Sequence, residues 1–362
     1  MRIAFASLSI IAALSAVAPA RAQAQSTCAD TAGAVRPAVA FIWENDALVG
    51  ADRDYTNGVG LAYSVPAGAC APLHGAAAAL GRVFDREFFY AVPGLGQLPG
   101  RPIDHLTVGF SHQLYTPNDL SRADPDPEDR PYAAWAYYSV AFIRETGANA
   151  PDGEGRLSGL SITQLDVGAV GPIAQGEWLQ RGFHDLINAK IDPAGWEHQI
   201  GNEPGLVIRH ERMVASRWDA GPIDLELSLN AGAALGNVTT DISAGAGFRI
   251  GYNIGVDYGP PRLRPGLSAP NKFARAEDGP FSFYLFGGAG GRAVARNIFL
   301  DGNTFADSRS VEKKTLVGDY QLGAALAVGP AKVAATRVWR TDEFVGQGRD
   351  SAFDSLVFSW RY

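Results

Sequence analysis

Ile223, Leu225, Leu227, Leu229, Ala231 and Ala233 alternate with Asp224, Glu226, Ser228, Asn230 and Gly232. Strict period-2 patterning of this kind suits a strand with one apolar and one polar face. The device repeats at once, with Ile242, Ala244, Ala246, Phe248, Ile250, Tyr252 and Ile254 set against Ser243, Gly245, Gly247, Arg249, Gly251 and Asn253. Such lengths match the roughly 9 to 11 residues that carry a tilted strand across a bilayer. Less regular versions run over residues 59–65, 105–114, 132–143, 316–328 and 352–362, and weaker ones over 39–43, 157–167, 206–213, 281–289 and 333–339, so twelve strands are expected.

An even strand count, 42 glycines, and aromatic residues near segment ends (Tyr63, Tyr138, Tyr252, Trp339, Trp360, Tyr362) fit an all-β antiparallel transmembrane barrel. The rival is a large soluble lipocalin-like barrel or sandwich, whose apolar faces would point inward. Three features favour the membrane: the strand lengths, a last segment ending Leu356, Phe358, Trp360, Tyr362, and an export signal. Residues 1–22 read as that signal, with Arg2, an apolar run from Ile3 to Val17 broken only by serines, and the small-residue site Ala20-Arg21-Ala22. Residues 23–362 contain no linker-like composition and are read as one outer-membrane barrel domain, inserted by the barrel-assembly machinery. Beyond the signal, no apolar stretch approaches the roughly 20 residues of a membrane-spanning helix.

The chain carries a formal charge of −7, and losing Arg2 and Arg21 makes it more acidic, which argues against a nucleic-acid partner. Cys28 and Cys70 are the only cysteines. They exclude a disulfide scaffold or a cysteine metal cluster and leave one bridge open.

With the N-terminus in the periplasm, every connection that follows an odd strand faces outside. Residues 44–57, 115–130 and 170–204 then open at one end, and these are the polar stretches. The first collects Glu44, Asn45, Asp46, Asp52, Asp54, Tyr55, Thr56 and Asn57. Such an oxygen-rich tip can bind a hard cation such as Ca²⁺, or be a solvated hairpin whose Asx residues cap their own turns. The second runs Tyr115-Thr116-Pro117-Asn118-Asp119 to Arg122 and then Asp124, Asp126, Glu128, Asp129 and Arg130. The third holds a short helix over 175–190 that carries His184. A lone helical histidine is more often a structural hydrogen-bonder than a base, yet imidazole titrates near neutrality and suits general-base work. The other histidines, at 74, 105, 112, 198 and 210, have no comparable setting. No Gly-x-Ser-x-Gly elbow, P-loop or dinucleotide fingerprint is present.

Several motifs occur in one order: Trp43-Glu44-Asn45-Asp46, Asp52-Arg53-Asp54-Tyr55-Thr56-Asn57-Gly58, Tyr115-Thr116-Pro117, Asp129-Arg130-Pro131-Tyr132-Ala133, Gly171-Pro172 and Gly195-Trp196-Glu197-His198-Gln199. Together they resemble the LpxR-like lipid A 3′-O-deacylase family, over about the whole mature chain and most strongly from residue 41 to 203. The resemblance implies a twelve-stranded outer-membrane barrel that uses calcium to remove the 3′-linked acyloxyacyl group from the lipid A of lipopolysaccharide. By resemblance, Asn45 and Asp46 take the family's Asn-Asp pair, Thr56 the threonine of its Asp-Tyr-Thr turn, and His184 its essential histidine. Two positions depart. Arg122 stands where the family's characterised member has a lysine, which exchanges an ammonium for a planar fork. Lys190 stands where that member has a glutamate, with Asp185 and Asp192 as the neighbouring carboxylates.

The chemistry expected from this set is ester hydrolysis, with His184 deprotonating a water that attacks the acyl carbonyl and Ca²⁺ stabilising the oxyanion. Asn45 and Asp46 would hold the metal or the water, Thr56 would orient them, and Arg122 would bind a lipid A phosphate. Rival readings are an outer-membrane phospholipase or other lipid esterase, and a non-catalytic channel or lipopolysaccharide-binding barrel. Inward-facing Asp224, Glu226, Asn230, Arg249 and Asn253 would fit either a hydrated lumen or a polar plug.

Overall fold

The computed structural model describes residues 37–46, 53–66, 103–146, 156–187, 193–254, 281–348 and 350–362. Twelve strands form where alternation predicts them: β1 (Ala38–Asn45), β2 (Asp54–Pro66), β3 (Ile103–Thr116), β4 (Ala133–Thr146), β5 (Arg156–Val170), β6 (Glu203–Ala220), β7 (Ile223–Gly236), β8 (Thr239–Tyr252), β9 (Phe281–Asn297), β10 (Leu316–Val328), β11 (Ala331–Arg340) and β12 (Ser351–Arg361). Each pairs antiparallel with its sequence neighbours, and β1 closes on β12 in a register running from Ala38↔Arg361 to Asn45↔Asp354. Closure leaves no unpaired strand edge, which a sheet surrounded by lipid requires.

The sense of the alternation decides between membrane and soluble barrels. On β7, Leu229 is 64% exposed while Glu226 is 6% exposed, so the apolar face points out. Leu285, Leu322 and Phe358 repeat the pattern. Inside, charges are paired rather than left in an open lumen: Arg249 forks onto Glu226, Arg209 meets Asp166 at 3.0 Å and Arg340 meets Asp319 at 2.6 Å. Outward aromatics mark both rims, with Trp218, Tyr252, Phe281 and Trp360 at one end and the stacked Tyr320 and Trp339 at the other.

At the first of these ends, β6–β7 and β10–β11 turn through Gly221-Pro222 and Gly329-Pro330. The opposite end gathers the connections that follow odd strands, as parity predicts, and they hold one another: Arg130 bonds Glu343, Arg309 bonds Asp124, and Asn303 exchanges hydrogen bonds with Gly201. A short helix, Ile298–Asp301, drops Phe299 onto Tyr115 in a 4.0 Å stack. With Tyr55, Trp135, Tyr137 and Phe353 it packs the outer end of the lumen.

Several boundaries differ from the sequence expectation. Glu44, Asn45 and the stretch from Asp54 to Asn57 lie in strands, not in a 44–57 loop, because the ladder continues through Glu44↔Gly58 and Asn45↔Asn57. Glu44 tolerates this inside the barrel because Tyr55 donates a 2.7 Å hydrogen bond to it. Tyr115 and Thr116 are likewise the end of β3. Strands β6 and β9 outrun the expected 206–213 and 281–289, since their polar rim residues remain paired beyond the apolar band. The signal segment 1–22, Cys28, Cys70, His74, Lys190 and Asp192 lie outside the described residues.

Candidate functional site

At the outer rim of β1–β4 the outward face stops being apolar. The outward row of β1, Phe41 and Trp43, ends in Asn45; that of β3, Val108 and Phe110, continues as His112, Leu114 and Thr116; that of β2 ends in Asn57 and Thr56. All of these polar residues are buried although they stand on the lipid side of the wall. Over His112 and Leu114 lies the connection between β5 and β6, which folds down over the outside of the barrel.

That connection is shaped locally. Gly171 takes φ +94 and sits where a Cβ would come within 2.4 Å of the Gly201 carbonyl, so only glycine fits. Its N–H donates to the Ala134 carbonyl at 3.0 Å, pinning the segment to β4. Pro172 then opens a single helical turn, Pro172–Ala174, whose last carbonyl accepts a 2.6 Å hydrogen bond from His112 Nε2. Ala174 enters an apolar cluster with Leu114, Leu120, Tyr132, Ala134 and Trp196. The helix α1 (Gly176–Ile187) follows.

Gly176, Gln180 and His184 repeat every fourth residue and form the buried stripe of α1. Gly176 sits against Ala134 of β4 and the Trp196 ring so closely that a Cβ would lie 2.6 Å from each. Gln180 accepts a 2.7 Å hydrogen bond from Trp196 Nε1. The Phe183 ring lies 6.1 Å from Trp43 of β1. The helix therefore starts over β4 and reaches β1 through Phe183, one residue before the buried His184.

The hairpin tip is tightly organised. Asp46 accepts a 2.6 Å hydrogen bond from the Arg53 N–H, and its own N–H donates to the Thr56 carbonyl at 3.3 Å. Thr56 sits at a bulge between Tyr55 and Asn57, with its hydroxyl 2.5 Å from that of Thr116. Asn45 and Asn57 face each other across the strands, and Asn57 Oδ1 is buried with no hydrogen-bond partner among the described residues. One carboxylate and two amides are hard oxygen donors of the kind Ca²⁺ accepts, and the buried Asn57 oxygen fits such an ion. Among the described residues no group of three or more His, Cys, Asp and Glu side chains could hold a metal, so amide oxygens and water would have to complete the coordination.

Arg122 is not brought into this cluster. It is exposed on the loop between β3 and β4, where it meets Asp126 at 3.3 Å and donates to the Asp124 carbonyl at 3.1 Å. Within the same 115–130 stretch it is Arg130 that is wholly buried, 3.3 Å from Glu343 and 3.7 Å from Asp54, between the Tyr115 and Phe344 rings. Burial pushes the Glu343 carboxyl up, but Arg340, Arg130 and Arg292 outweigh it and hold it below its ordinary value. Asp185 is exposed on α1.

Sequence reasoning gave no role to His112, Gln180 or Thr116. His112 and Thr116 do carry a readable signal: polar residues at outward positions of a strand, in phase with Phe110 and Leu114. Gln180 carries none until the helix is docked.

A family model described as outer membrane protein LpxR matches residues 8–362. Among solved structures, the chain is similar to LpxR from Salmonella typhimurium, with 20% identity and a TM-score of 0.65 over 90% of this chain and 100% of that one. It is also similar to the translocator domain of the autotransporter NalP from Neisseria meningitidis, at 11% identity and TM-score 0.40 over 98% of both chains. A search of curated proteins by sequence finds no match. At these identities the structural likenesses concern the fold alone.

Proposed function

The chain belongs to the family of the outer membrane protein LpxR, and from that premise we propose that it is a carboxylic ester hydrolase that removes the 3′-linked acyloxyacyl group from lipid A. The observation that carries this reading is the side of the wall on which the polar cluster lies. Asn45, Asn57 and His112 belong by strand phase to the outer, lipid-side surface, with Thr56 at the adjoining bulge, not to the lumen. An amphiphile in the outer leaflet could therefore present an ester to them while its chains remain in lipid.

In this mechanism His184 takes a proton from water as the oxygen attacks the acyl carbonyl, and returns it to the sugar oxygen when the tetrahedral species collapses. The carbon–oxygen bond to the sugar breaks, leaving a free 3′-hydroxyl and a fatty acid. The buried stripe of α1 fixes the imidazole against the wall, and the Thr56–Thr116 hydroxyl pair orders the neighbouring rim. Asn45, Asp46 and Asn57 would hold Ca²⁺, which supplies charge stabilisation for the oxyanion. Arg122, exposed on the water side, would meet a lipid A phosphate. Insertion would depend on the barrel-assembly machinery.

A phospholipase would use the same logic on a different ester. The channel reading is less well supported, because the aromatic layer around Phe299 and the paired inward charges pack the lumen. The deciding experiment is the lipid A mass spectrum of cells with and without the protein, alongside phospholipid release. Loss of the acyloxyacyl mass supports the proposal. Unchanged lipid A with the barrel present in the outer membrane refutes it, and fatty acid released from phospholipid would transfer the reading to a phospholipase.

A further inference from the structure

Beyond the two rows that face the wall, Gly176-Gln180-His184 and Leu179-Phe183, α1 carries two others of opposite character. Four residues advance a helix by about 40° beyond a full turn, so positions four apart form gently winding rows. Trp178, Gly182 and Leu186 make one row and Glu177, Arg181 and Asp185 the other. Trp178 is 72% and Leu186 78% exposed, and Ile173 in the preceding turn is 61% exposed. A helix already docked by one face has no internal reason to keep large apolar groups on another.

The surroundings fix which row faces where. Arg181 is salt-bridged to Glu177 at 3.0 Å and donates to the Pro193 carbonyl at 3.1 Å, so the charged row lies toward the rim connections. The apolar row lies on the opposite edge. The strands that the helix crosses, β4 to β1, carry exposed apolar side chains on the same outer surface, among them Leu61, Val108, Phe110 and Tyr138.

We propose that α1 is a membrane-interface helix whose Trp178 and Leu186 enter the acyl region of the outer leaflet while Glu177, Arg181 and Asp185 remain in water. The faces of the helix then meet three media: protein wall, lipid and solvent. An amphipathic helix lying in the interface plane sinks its apolar side roughly 5–10 Å into the headgroup–acyl boundary. Tryptophan suits that boundary because its ring is apolar and its N–H can stay hydrated. The membrane would thus hold the helix against the wall and set the depth of its buried stripe. This placement does not depend on which ester, if any, the protein cleaves.

The test uses the full chain with Cys28→Ala and Cys70→Ala, carrying a single nitroxide at position 177, 178, 185 or 186, in vesicles of phosphatidylcholine and phosphatidylglycerol. Collision with oxygen relative to a water-soluble nickel chelate should be several-fold higher at 178 and 186 than at 177 and 185. Equal ratios at the four positions would overturn the proposal. So would labels at 178 and 186 that are shielded from both reagents and broadened by a neighbouring spin, which would mean a second copy on this face. A parallel measurement needs no substitution: a lipid-soluble diazirine photolysed in vesicles should mark Trp178 and Leu186 in the wild-type chain, and failure to mark either refutes the placement.

Discussion

Replacing Arg130 by methionine should be among the most destabilising single changes in this barrel, and its size can be worked out. The guanidinium is wholly buried, 3.3 Å from Glu343 and 3.7 Å from Asp54. At an effective dielectric near 20, unit charges at such distances attract by about 4 to 5 kcal/mol per pair. The cost of desolvating the guanidinium, several kcal/mol, is avoided in the variant, so the net loss falls at about 3–5 kcal/mol. The lower end is expected, because Glu343 keeps Arg340 at 3.5 Å and Arg292 at 3.9 Å, and Asp54 keeps Arg53 at 3.6 Å. Urea unfolding of the refolded barrel in detergent, followed by its gel mobility with and without heating, measures the difference. Adding Asp54→Asn should recover part of the loss, since it removes the carboxylate left least compensated and asparagine tolerates the φ of +64 at that position. A loss below about 1 kcal/mol for Arg130→Met, or a double variant weaker than the single, would refute the view that buried charge pairing ties β2 to the β11–β12 connection.

Other outcomes concern the chemistry and its pH limits. His184→Asn should lower lipid A deacylation by about 10²-fold or more, the usual weight of a general base, without altering heat-modifiable mobility; near-wild-type turnover would make the histidine structural. Chelation should abolish activity and Ca²⁺ restore it better than Mg²⁺. Added calcium should partly rescue Asp46→Ala but not His184→Asn, and full activity in excess EDTA would remove the metal from the mechanism. Glu343 has a folded pKa held below its ordinary 4.5, so its contribution to stability is complete above that pH and is lost as the pH falls through the depressed value. Unfolding midpoints should therefore drop below about pH 4.5 in the wild type and drop less in Glu343→Gln; parallel pH curves for the two proteins would contradict this.

Alternation along single strands was enough to read an all-β barrel, its twelve strands and the sharing of one end by the 44–57, 115–130 and 170–204 segments. Period 2 is a relation between adjacent residues, so Leu225, Leu227 and Leu229 declare a face without reference to anything distant. The resemblance carried by the ordered motifs pointed to Asn45, Asp46, Thr56 and His184 as site residues. It could not say that Asn45 and Thr56 are buried on the lipid side of the wall, because burial there depends on what packs over them. Nor could it tell exposed Arg122 from buried Arg130, eight residues apart in the same polar stretch. Local patterning reports which face a strand prefers; whether a polar group on that face is covered, paired or left to lipid is decided by what packs against it. For His112 only the docking of the β5–β6 connection against the closed barrel supplied that cover.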